Sequence, residues 1–64
     1  MDSGEIKYGV ENWNKIKSIV DNSNIILERI LAMNLSIEDA LAFSYLFSIE
    51  YQYLQKTNFP KNNL

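Results

Sequence analysis

The sequence predicts an all-α protein: a two-helix antiparallel hairpin that dimerises into a four-helix bundle. Three observations carry this. An apolar period of alternating threes and fours runs through Trp13, Ile16, Val20, Ser23, Leu27 and Ile30. A helix-start signal at Ser36 opens a second periodic stretch a few residues later. That stretch, ALAFSYLFSIEYQYL over 40–54, is apolar on two faces rather than one.

Size makes the second face matter. A chain of 64 residues forms one domain at most. Such a chain buries only about 60% of its unfolded surface, so its core is marginal. Small chains add disulfides, a metal or a partner. Cysteine and histidine are both absent, which excludes disulfides and thiolate or imidazole zinc sites. A partner chain is the staple left.

Residues 1–9 hold both glycines, Gly4 and Gly9, and read as a polar leader. The hairpin then occupies 10–57. From Val10 the apolar positions Trp13, Ile16, Ile19, Val20, Ile26, Leu27, Ile30, Leu31 and Met33 share one side at 100° per residue. Glu11, Asn14, Ser18, Asp21, Asn22, Glu28 and Arg29 take the other. The stretch DNSN at 21–24 is poor helix interior, because Asp, Asn and Ser compete for backbone hydrogen bonds. The period keeps its phase across it, so one continuous helix over about 10–33 is expected. Asn34 suits the left-handed residue that ends such a helix.

Ser36 with Asp39 three residues on has the form of a capping box. Glu38 and Asp39 suit the positive end of a helix dipole. A second helix is expected over about 37–56. Pro60 disfavours a helical Phe59, so 58–64 reads as a tail. Two long helices joined by so short a link fold back antiparallel.

On the second helix, Ala40, Phe43, Phe47, Tyr51 and Leu54 make one apolar stripe. Ala42, Leu46, Ile49 and Tyr53 make another, more than about 100° away. A hairpin partner covers only one of them. A second copy would cover the other, each helix gaining two neighbours, with twofold symmetry as the common case. The expected interface is Leu46, Ile49, Tyr53 and Ala42, with Ile19, Ile26 and Met33 from the first helix.

The chemistry is limited. Without His or Cys, catalysis would rest on carboxylates, Lys, Tyr or Ser. Ser44 and Ser48, one turn apart, read as small residues that let helices approach. No glycine-rich phosphate loop is present, with two glycines in all. No enzyme, no cofactor and no metal is expected. Carboxylate metal sites in bundles pair Glu with a His that this chain lacks.

The net charge is −2, from six basic and eight acidic side chains, which argues against a nucleic-acid surface. A helix–turn–helix reading of ILAMNLSIEDALAF would start its recognition helix with two acids, where bases and phosphates need Arg, Lys, Asn or Gln. The polar face of the first helix, with Asn14, Lys15 and Lys17, is a better candidate contact for RNA. In layout alone, a dimer of helical hairpins resembles the plasmid-encoded RNA-binding regulators of the Rop type. That resemblance implies an RNA-binding hairpin dimer as the alternative function.

The N-terminus has acids and no apolar core, so it is not a secretory signal. The apolar run 40–49 would span about 15 Å as a helix, half a bilayer core. A cytoplasmic protein without membrane contact is expected. The residues point to a small adaptor, inhibitor or regulator acting through helix-mediated protein contacts, as a homodimer. Docking on a different protein is a further alternative. The Asn- and Ile-rich composition hints at an A+T-rich source such as a virus or plasmid.

Overall fold

The computed structural model describes the backbone of residues 2–62, with their side chains except Gln55 and 57–62. The chain is all-helical over these residues: α1 Ser3–Tyr8, α2 Val10–Ile19, α3 Asn24–Ala32 and α4 Ile37–Asn62. α1 packs on α2, and α2 and α3 both pack on α4.

The expected polar leader is a helix. Asp2 stands at its N-cap, and the Glu5 carboxylate accepts from the Asp2 amide at 3.3 Å. Gly4 and Tyr8, one turn apart, form its buried edge. They face Trp13 of α2: the Tyr8 and Trp13 rings stack with centroids 6.1 Å apart. A Cβ on Gly4 would run into the Trp13 indole. Two further bonds tie the end of α1 to the α3–α4 link. Tyr8 Oη donates to the Leu35 carbonyl at 2.8 Å, and Lys7 Nζ donates to Asn34 Oδ1.

Gly9 joins α1 to α2 with φ 88° and ψ 155°, a conformation that essentially only glycine adopts. Its N–H donates to the Glu5 carbonyl at 2.8 Å, and its carbonyl accepts from Trp13 at 2.9 Å. Gly9→Ala should therefore destabilise the chain by about 1–3 kcal/mol, although open space surrounds the position. A urea melt against wild type checks this.

The single first helix over 10–33 is corrected by a break at 20–23. Asp21 and Asn22 are both left-handed, at φ 54° and 57°. Asp and Asn are the residues that accept this conformation most readily after glycine. The Asn22 N–H closes the end of α2 on the Lys17 carbonyl at 2.8 Å. Ser23 then caps α3, its Oγ accepting from the Ile26 amide at 3.5 Å. Two short helices, α2 and α3, thus stand where one long helix was expected.

Asn34 is left-handed at φ 53°, just past the end of α3. Ser36 opens α4, its Oγ accepting from the Asp39 amide at 3.2 Å and its carbonyl from Ala40 at 2.8 Å. α4 does not stop near Lys56 but continues to Asn62, past Pro60. Pro60 brings no N–H, so the helix loses one backbone donor close to its end, where few bonds remain to be broken. Of the expected tail, residues 63–64 lie outside the described residues.

The core gathers Tyr8, Trp13, Ile16, Val20, Ile26, Leu27, Ile30 and Ala40, with Ile19, Leu31, Leu35, Ile37, Leu41 and Phe47 packed around it. Ser44 is fully buried on the inner face of α4, where a larger residue would hold the helices apart. Its hydroxyl donates to the Ala40 carbonyl one turn back, at 2.6 Å. Trp13, on the apolar side of the period, is a core residue at 3% exposure.

Tyr8 links this packing to pH. Burial pushes its phenol above the ordinary tyrosine range. The neutral phenol is the form that the fold favours. The stability it contributes is present below the unfolded value near pH 10 and is lost as pH rises through the folded value. The melting temperature should fall above about pH 10, and less so in Tyr8→Phe. At neutral pH that variant loses one hydrogen bond, worth about 0.5–1.5 kcal/mol. Thermal melts of both proteins at pH 8 and pH 10.5 compare the two effects.

Candidate interaction surface

α4 is longer than what covers it. Its 26 residues extend about 39 Å, whereas α2 with 10 and α3 with 9 reach about 15 Å each. The molecule measures 45 × 21 × 18 Å, its long axis set by this helix. The inner stripe shows where cover ends. Ala40 and Ser44 are fully buried and Phe47 is half-buried, but Tyr51 and Leu54 are 49% and 54% exposed. Phe43 and Phe47 lie tilted against each other at 5.7 Å.

The outer stripe is solvent-exposed along its length. Leu46, Ile49 and Tyr53 are 55%, 63% and 68% exposed, and Ala42 is exposed with them. At 100° per residue they lie on the side of α4 away from Ala40 and Ser44. A surface groove of about 410 Å³ runs between Ile49, Glu50, Tyr53 and Leu54. Exposed apolar side chains are ordinary when scattered; here they lie together along one helix face.

Other expected interface residues lie elsewhere. Ile26 is 9% exposed and Ile19 half-buried, and both belong to the core side of the fold. The break at 20–23 explains this, because each short helix turns its own apolar edge to α4. Met33 is exposed at the C-cap of α3.

The candidate RNA contacts on α2 are divided. Asn14 and Lys15 are exposed, while Lys17 is half-buried. Lys17 lines a cleft of about 330 Å³ together with Asp2, Asn22, Asn24, Glu28 and Trp13. Two acids thus share its surroundings, which weakens a basic surface. Asn12, on the same helix, spends its amide on the Tyr8 carbonyl at 3.0 Å. Trp13 Nε1 is buried without a hydrogen-bond partner. The fold covers this atom, so a ligand in the cleft would not reach it.

Among the described residues, no cluster of acidic side chains is arranged to hold a metal ion. No described helix is long and apolar enough to cross a membrane. Comparisons with family models, curated proteins and solved structures found no match.

Proposed function

We propose that this chain is a small non-enzymatic adaptor, inhibitor or regulator that works through the outer face of α4. It binds a second copy of itself there, as a homodimer, and engages another protein in turn. The observation that supports this is the exposure of Leu46, Ile49 and Tyr53 along one face of a helix whose opposite face is in the core. A fold this small, with a marginal core, gains stability by covering that band. Folding and association are then coupled, so the melting temperature should rise with protein concentration between about 1 and 100 μM. A melting temperature independent of concentration would count against self-association.

Exposed Asn14 and Lys15 carry the second reading, an RNA-binding protein. The favoured reading predicts no salt-dependent RNA affinity at physiological salt. Micromolar binding to generic RNA, lost in the Lys15→Glu, Lys17→Glu double variant with a flattened salt dependence, would reverse the order of the two readings.

A further inference from the structure

The outer face of α4 is ordered along its length. In steps of three and four it runs Asp39, Ala42, Leu46, Ile49, Tyr53, Lys56. All of these side chains are exposed. An acid opens the band, a base closes it, and apolar or aromatic residues fill it between. Turned end over end, the band is complementary to itself.

We propose that two copies pair antiparallel along α4, with Asp39 facing the partner's Lys56, Ala42 facing the partner's Tyr53, and Leu46 facing the partner's Ile49. This rests on the self-association proposed above and specifies its geometry. The twofold axis passes between Phe47 and Ser48, so each contact occurs twice. Charge selects the direction. A parallel pair would set Asp39 against Asp39 and Lys56 against Lys56, while the antiparallel pair joins opposite charges at both ends. Size selects the register. The smallest residue of the band, Ala42, meets the largest, Tyr53, and the two branched aliphatic residues meet at the centre. A slide of one heptad would instead press the Lys56 ammonium against Leu46 and leave Asp39 beyond the seam.

The fold leaves room for this pairing. The band faces away from Ala40 and Ser44, so α1, α2 and α3 of each copy lie behind its own α4. The seam from residue 39 to 56 is about 25 Å long. A single pair of helices over that length stands at the small end of stable interfaces, which makes the dimer a weak, concentration-dependent one.

The full chain tests this by charge exchange and by distance. Asp39→Lys and Lys56→Asp should each weaken dimerisation on the order of tenfold, since each places like charges at both ends of the seam. The double variant should return to within about threefold of wild type. Asp39 also favours the first turn of α4, so Asp39→Lys alone carries a folding cost. Lys56→Asp lies far from that turn and reads the interface by itself. A spin label at Glu38→Cys, in a chain with no other cysteine, should report about 30 Å between copies. A parallel pair would give about 10 Å. A dimer with the short distance, or without rescue in the double variant, overturns the proposed geometry and leaves self-association standing. A wild-type chain that stays monomeric at 100 μM overturns both.

Discussion

Trp13→Ala should remove about half of the chain's stability or more. Trp13 is 3% exposed, stacks on Tyr8 and carries Gly4 on its ring. Truncating a buried Trp to Ala costs about 3–5 kcal/mol. A chain this short has a total stability of only about 3–10 kcal/mol. The loss is not confined to α2. Gly4 has no side chain of its own to bury, so α1 packs largely by resting on the indole, and removing the indole should free α1 as well. Trp13→Phe should cost less, because it keeps an aromatic surface for Tyr8 and Gly4 and removes a buried N–H that has no partner. Circular dichroism during a urea titration separates the variants. A shift below about 1 kcal/mol for Trp13→Ala would mean that α1 does not depend on this contact.

Ile49→Asp should abolish self-association. Ile49 is 63% exposed in the single chain, so a partner that covers it gains about 1–2 kcal/mol per copy, with two copies in each dimer. The substitution removes that gain and sets a carboxylate in the seam from each side, where desolvation adds to the loss. At least a hundredfold weaker association is expected, and the melting temperature should no longer depend on concentration. Ile49 is not part of the monomer core, so the α1–α2 packing around Trp13 should survive in the variant. Near-ultraviolet circular dichroism of the Trp13 and Tyr8 rings reads that packing directly.

Much of this architecture is written locally. Ser36 and Asn34 mark the α3–α4 link because a cap and a left-handed residue act within a few positions of themselves. The outer band of α4 is equally legible, since period alone places Ala42, Leu46, Ile49 and Tyr53 together. Period misleads at 21–24. It reports which residues face the core, not whether the backbone between them stays helical. Trp13, Ile16 and Val20 bury one edge, Leu27 and Ile30 another, and the series reads as one stripe although Asp21 and Asn22 turn the chain. The competing signal was the side-chain chemistry of DNSN, where two residues tolerant of the left-handed region precede a capping Ser23.

α1 had its own signals. Asp2 and Glu5 stand at capping-box spacing, and Gly4 with Tyr8 gives a one-turn buried edge. What the sequence does not display is their partner, because the Gly4–Trp13 fit exists only after Gly9 turns the chain. The placement of Ile19 and Ile26 follows from the same kind of event. Once the chain breaks at 20–23, both lie on the core side, and the exposed apolar band lies on α4. Asp39 reads as a helix-start residue until the stripe it adjoins is seen whole on one exposed face.

The claim that the outer face of α4 joins two copies is tested most directly by sedimentation velocity of the wild-type chain from about 1 to 100 μM. The expected result is a species of 7.5 kDa at the dilute end that gives way to one of twice that mass as concentration rises, with Ile49→Asp held at the smaller mass throughout. A wild-type chain that sediments as a folded 7.5 kDa monomer over the whole range would contradict it.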